Sequence, residues 1–242
     1  MNLNGTLETN GVTFYTRNGK TIMRSSTSNQ PKRRTAKQFE GRARIAHNTK
    51  LWRALSWQVQ PMFIGGSNAY TRFMSLMSKS QAVYLTAEEL GYGATLLLPG
   101  MPVSEGELPA IEYHLGEVDG TPALITNLPE RMSNTDRLRL YTATQRVDHR
   151  VPQVGIYAED QNIGQKMKAT GFKGTEVKIV DGCVAFVGDM FADEMKGWAL
   201  VLIKGEQCSS QQLVSRCNLY ERYTTDEAFM AAAASYGGLT KK

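Results

Sequence analysis

The sequence predicts an α+β chain: an N-terminal basic hairpin and helical pair on an antiparallel β-sandwich or partly open barrel, with a short C-terminal helix. Three observations carry that expectation. Apolar residues at helical spacing are confined to residues 36–78 and 224–236. Between residues 81 and 220 run about ten short segments rich in β-branched and aromatic residues, separated by turn signals. The charge is also uneven. Residues 1–60 hold 11 Lys and Arg against Glu8 and Glu40 only, roughly +9. The chain has 28 basic and 23 acidic residues in all, so residues 61–242 hold 17 against 21 and come to −4.

Taken in order, residues 12–16 and 20–24 flank Asn18-Gly19, the dipeptide that supplies the positive φ values of a tight hairpin turn. Such a hairpin is marginal alone in water and needs a surface to lean on. Residues 25–31 form a polar linker, and Lys32, Arg33, Arg34 and Lys37 follow within six residues. Thr35 and Gln38 have the spacing of a capping box, which predicts a helix over 36–59. Two apolar stripes lie on it, Phe39, Ala43 and Ala46 on one and Ile45, Trp52, Leu55 and Val59 on another, flanked by Arg42, Arg44, Lys50 and Arg53. Gly65-Gly66 ends that pattern, and Ser67 is placed to cap a second helix over 68–78.

From residue 81 the period is that of strands. Segments 81–86, 94–99, 111–118, 121–128, 137–147, 153–159, 175–180, 183–189, 198–205 and 211–220 read as strands. Asp119-Gly120 and Asp181-Gly182 read as hairpin turns, and segment 137–147 alternates cleanly. At the end, Thr224 and Glu227 have capping-box spacing before a helix over 228–236 that stops at Gly237-Gly238. The organisation expected is a basic hairpin or extended arm (1–35), a helical pair (36–80), an antiparallel β domain (81–223), and a C-terminal helix and tail (224–242).

Composition narrows the function classes. Hydrophobic content of 41% and charged content of 21% are those of a chain that folds around a core. Cys183, Cys208 and Cys217 are an odd count without paired spacing, as expected of buried or incidental thiols in a reducing compartment. No basic segment followed by an apolar run opens the chain, and no apolar run approaches the roughly 20 residues a membrane span needs. The expectation is a protein without membrane contact, intracellular or released other than by secretion.

Chemistry is sparse. His47, His114 and His149 stand far apart, and His47 reads as a surface or interface residue of the basic helix. The Gly91–Gly93 segment is too short for a phosphate loop, and Ser104, Ser209 and Ser210 lack the context of a nucleophile elbow. The acids Glu159, Asp160, Asp189, Asp193 and Glu194 fall at strand ends and loops, where solvated carboxylates are the ordinary case. No catalytic residue, metal site or cofactor is expected, and the chain reads as no enzyme. What remains is the basic N-terminal region, suited to an acidic protein surface or to phosphate.

The string RNGKTIMRSS followed by PKRRTAKQFEGRARIA resembles uncharacterised proteins of Bacteroidetes and their phages. In those proteins a hairpin with Asn-Gly-Lys and a following Arg precedes an Arg-Thr…Gln…Arg segment. The stretch WALVLIKG…SSQQLVSRCNLYERYTTDEAFMAAAASYGG is similar to their C-termini, including products of crAss-like phages; the resemblance covers residues 12–55 and 197–238. It implies a structural component of a tailed-phage virion, a ring protein at the head–tail junction or an auxiliary capsid protein. The expected location is then the virion, and the host cytoplasm during assembly. The expected partners are portal, capsid or ring subunits and further copies of the chain, with DNA contact open to the same arm. Polar contacts fall to Arg17, Lys20, Arg24, Lys32, Arg33, Arg34, Arg42, Arg44 and Arg53, and apolar anchoring to Phe39, Trp52, Leu55 and Trp57. The alternative is a sequence-nonspecific nucleic-acid-binding protein that uses the same arm.

Overall fold

The computed structural model describes residues 7–9, 12–25, 35–64, 68–130, 132–133, 135–147, 150–162, 171–216 and 220–237. Contacts divide the chain into two compact units, Met1–Thr35 and Ala36–Lys242.

The first unit is a three-stranded antiparallel sheet of β1 (Leu7–Thr9), β2 (Val12–Arg17) and β3 (Lys20–Ser25), in that order. Asn18 at φ +52° and Gly19 at φ +72° make the turn between β2 and β3, as the dipeptide predicts. None of the described side chains of this sheet is buried.

The second unit opens with α1 (Ala36–Val59) and α2 (Ala69–Met77), followed by the short helix α3 (Ala87–Gly91). Ser67 lies outside the described residues; α2 is capped by Asn68, whose side chain accepts from the N–H of Tyr70 at 2.9 Å. Thereafter come β4 (Pro102–Ser104), β5 (Tyr113–Val118), β6 (Thr121–Pro129), β7 (Asp136–Arg146), β8 (Gln153–Asn162), β9 (Glu176–Val180) and β10 (Cys183–Val187). The chain closes with β11 (Lys196–Lys204), β12 (Gln207–Cys208), β13 (Gln211–Gln212), β14 (Val214–Ser215) and α4 (Asp226–Ser235). The cap of α4 is Thr225, one residue beyond the Thr224 expected; its hydroxyl accepts from the N–H of Ala228 at 3.2 Å, while Thr224 donates to the carbonyl of Glu221.

Two larger antiparallel sheets organise this unit. One has the order β5-β6-β10-β9; the other has the order β12-β11-β7-β8, with β14 also on β11. Asp119-Gly120 and Asp181-Gly182 close the β5–β6 and β9–β10 hairpins at positive φ, as expected. Among the described residues neither sheet closes into a barrel.

β7 explains the layering. Its alternation puts Leu138 and Leu140 on one face, where they pack with Trp198, Leu200, Leu124, Leu128, Val184 and Phe186 between the two sheets. Its other face carries Tyr141 and Ala143, which pack with Val154, Ile156, Ala199 and Val201 against Leu51, Leu55 and Val59 of α1 and Phe73 and Met77 of α2. The result is a helical layer, a middle sheet and an outer sheet. The helical pair, expected as a segment of its own, is a layer of the body.

Two expected strands are absent. Segments 81–86 and 94–98 have no regular secondary structure and lie outside any sheet, and Pro99 begins a turn. In the second, Ala94, Leu96, Leu97 and Leu98 are all buried, so neither side faces water and no alternation marks a sheet. Side chains and loop carbonyls serve its backbone instead. The Leu96 N–H donates to His47 Nε2 at 3.0 Å, the Leu97 N–H to Gln145 Oε1 at 2.7 Å, and the Thr95 N–H to the Pro152 carbonyl at 2.9 Å.

Candidate interaction surface

The register of the N-terminal sheet sorts its side chains. Phe14 pairs with Met23 and Thr16 with Thr21, which places Val12, Phe14, Thr16, Thr21 and Met23 on one face. Thr13 pairs with Arg24, Tyr15 with Ile22 and Arg17 with Lys20, which places every described cation of the sheet on the other. Arg17, Lys20 and Arg24 are exposed there. Arg17 and Lys20 stand directly opposite one another beside the turn, a like-charge pairing that disfavours the hairpin until an anion compensates it. On the uncharged face Met23 is 68% exposed.

Lys32, Arg33 and Arg34 lie outside the described residues. On α1, Arg42 and Arg53 are exposed. Arg44 is not: it pairs with Glu40 at 3.1 Å and donates to the Ser78 carbonyl at the end of α2, where a cation complements the helix dipole. It holds two helices together and is not available to a partner.

The four apolar anchors separate in the same way. Phe39 is buried against Phe229 (ring centroids 5.3 Å apart) and Tyr236 (5.7 Å). Leu55 is fully buried, and Trp52 sits among Phe63, Tyr70 and Phe73, the last at 5.1 Å. These three stabilise the body itself. Trp57 is 70% exposed, and so is Ile45 at 60%, a residue not among the expected anchors.

Spacing explains the error. Phe39, Ala43, His47, Leu51, Leu55 and Val59, all buried, recur every four residues, and each step winds the row by about 40° around the helix. The buried side therefore turns along α1, meeting α4 at its start and α2 with the middle sheet at its end. Reading the row in fours would have put His47 inside and Ile45 outside. We expect Leu55→Ala to lower stability by about 2–5 kcal/mol. Trp57→Ser should change it by no more than about 0.5 kcal/mol. Thermal and urea unfolding of the two variants checks the assignment.

His47, expected at the surface or in an interface, is 1% exposed. Asn48 Nδ2 donates to the Met77 carbonyl at 3.4 Å, which turns Asn48 Oδ1 toward His47 Nδ1 at 3.2 Å. Nδ1 therefore carries the hydrogen, and Nε2 accepts from the Leu96 N–H. Burial, only partly offset by the Asn48 hydrogen bond, lowers the pKa of His47 to about 4.

One cleft of the body, about 560 Å³, lies among Ser104, Ile111, Tyr113, Gln211 and Leu213, and its polar groups are already engaged. Gln211 imitates a strand there, accepting from the Ile111 N–H and donating to its carbonyl at 3.0 Å. Ser104 Oγ donates to the Ser209 carbonyl at 2.6 Å and accepts from the Gln211 N–H at 3.0 Å, and the Tyr113 hydroxyl donates to the Gln212 carbonyl. Burial raises the Tyr113 pKa far above the usual phenol range, so it remains a donor. Burial likewise pushes the Cys208 thiol up to about 11, which keeps it protonated and unreactive. Asp160, opposite Arg139 across β7 and β8, receives two guanidinium hydrogen bonds at 2.5 and 2.7 Å that hold its pKa low. His114 is exposed, and His149 and Cys217 lie outside the described residues. Among the described residues no group of three or more His, Cys, Asp or Glu is placed to hold a metal ion. No described helix is long and apolar enough to cross a membrane.

No protein family, no curated protein and no solved structure matches the chain.

Proposed function

We propose that the chain is a structural component of a tailed-phage virion, a ring protein at the head–tail junction or an auxiliary capsid protein. It self-associates and docks neighbouring portal, capsid or ring subunits through its basic N-terminal region. The sequence resemblance suggests the class. The observation that carries the mechanism is the N-terminal sheet, which forms a contact unit of its own and buries none of its described side chains. A small sheet of this kind gains its stability from a surface it covers. A symmetric particle supplies such surfaces in many copies, and burial there offsets the entropy of ordering the arm. The body, with clusters that fill both faces of its middle sheet, is the rigid part that the arm ties to its neighbours. Arg17, Lys20, Arg24, Arg42 and Arg53 carry the polar contacts, and Trp57 is the exposed apolar anchor.

Sedimentation and light scattering of the full chain and of residues 36–242, at low and high salt, test this. The full chain should form a defined ring or larger assembly, and the shortened chain a folded monomer. A full chain that stays monomeric at every concentration and salt sinks the proposal.

The Arg17–Lys20 pairing favours a second reading, sequence-nonspecific binding of nucleic acid by the same arm. In that case the monomer itself should bind duplex DNA, with affinity falling steeply between about 50 and 200 mM salt.

A further inference from the structure

The sheet formed by β1, β2 and β3 has two chemically distinct faces, and only one of them can be desolvated cheaply. Val12, Phe14, Thr16, Thr21 and Met23 share a face without charge. Tyr15 and Ile22 on the reverse are also apolar, but Arg17, Lys20 and Arg24 surround them, and by register Glu8 of β1 shares that charged face. Covering that reverse with protein would strip water from three cations unless acids met each of them.

We propose that the uncharged face is the docking side of the arm, and that its occupant is the same face of a second copy. This rests on the reading of the chain as a self-associating structural protein. Charge selects the occupant. When two arms approach face to face, stacking uncharged on uncharged sends six cations outward, three per copy; either other pairing buries at least three. The exposed apolar residues of α1, Ile45 and Trp57, are flanked by Arg42 and Arg53, so that surface is a poorer complement to a charge-free sheet. The same face of a second arm is uncharged and has the same dimensions and twist. Two sheets packed this way stand about 10 Å apart, with Met23 and Phe14 of each copy filling the space between.

Area sets the strength. Strands of at most six residues in a three-stranded sheet present a face of roughly 300 Å². A standard interface buries about 800 Å² per partner. One pair of arms is thus a weak contact, and it acts when a ring or shell presents many at once. The stacked arms present their cations on both outer sides, toward whatever anionic surface the assembly meets.

Cross-linking of the full chain tests the geometry. Met23→Cys and Arg24→Cys place a thiol on opposite faces of the same strand. Each is treated with a short bismaleimide at high protein concentration, beside the unsubstituted chain, whose own cysteines set the background. Met23→Cys should give covalent dimer several-fold above that background, and Arg24→Cys none. Sedimentation of the unlinked variants records whether each still assembles. Equal or stronger linking through Arg24→Cys overturns the proposal. So does an assembly that forms while Met23→Cys stays at background; the self-association reading survives that result. If the unsubstituted chain forms no assembly, both fall.

Discussion

A chain that begins at Gln81 is expected not to fold, whereas one that begins at Ala36 keeps a cooperative transition close to that of the full chain. The division at Ala36 leaves every buried cluster of the body whole. Cutting at Gln81 removes Leu51, Leu55, Val59, Phe63, Phe73 and Met77, all buried on the middle sheet. At about 1.5–3 kcal/mol for each large apolar side chain, the loss is roughly 9–18 kcal/mol. A whole domain is stable by only about 5–15 kcal/mol. Tyr141, Ala143, Ala199 and Val201 would face water in its place. Near-ultraviolet circular dichroism with thermal unfolding decides it. A sharp near-ultraviolet transition in residues 81–242 would show that the helices are an appendage and not a layer.

Lowering the pH from 7 toward 4 should destabilise the protein by roughly 3 kcal/mol through His47 alone. Its pKa is about 4 in the folded chain against 6.5 when free, and each pH unit of difference is worth about 1.4 kcal/mol. The sign follows from proton uptake. Between these values the unfolded chain holds the proton and the folded chain does not, so stability is full above 6.5 and is lost as pH falls toward 4. A proton on Nε2 would displace the hydrogen bond from the Leu96 N–H and leave a charge buried among α1, α2 and the 94–98 segment. The Asp160 contribution has the same sign, but it is lost at lower pH, because its pairing with Arg139 lowers an already low pKa. The control is His47→Gln, which does not titrate. Urea unfolding at pH 7 and pH 4.5 should show a large difference in the native chain and a much smaller one in the variant. Equal pH dependence, or an imidazole resonance of His47 titrating near 6.5, would remove the buried-neutral assignment.

The candidate site was legible in one part and not in another. Charge counts pointed to the N-terminal region, and Asn18-Gly19 located its turn. Once that turn is placed, the register and hence the two faces of the sheet follow from pairing in twos. On α1, composition could not separate Arg44 from Arg42, because the difference lies in Glu40 and the Ser78 carbonyl, one of them on another element. Nor could it separate Trp57 from Trp52. Both are large aromatic residues on one helix, and only the packing of Phe63, Tyr70 and Phe73 covers one of them.

By itself the sequence determined the features with local causes: the positive-φ turns, the span of α1, the alternation of β7, and a cation-rich N-terminus. These depend on backbone sterics, hydrogen-bond capping and side-chain period within a few residues. Tertiary structure alone decided which apolar rows are covered, since covering needs a partner from elsewhere in the chain. It put helices on one face of the middle sheet and a second sheet on the other. It threaded 94–98 through the core outside any sheet, with the amides of Leu96 and Leu97 held by His47 and Gln145, 49 and 48 residues away in the sequence. No local pattern marks such a segment, because its hydrogen bonds are made only after the layers have met.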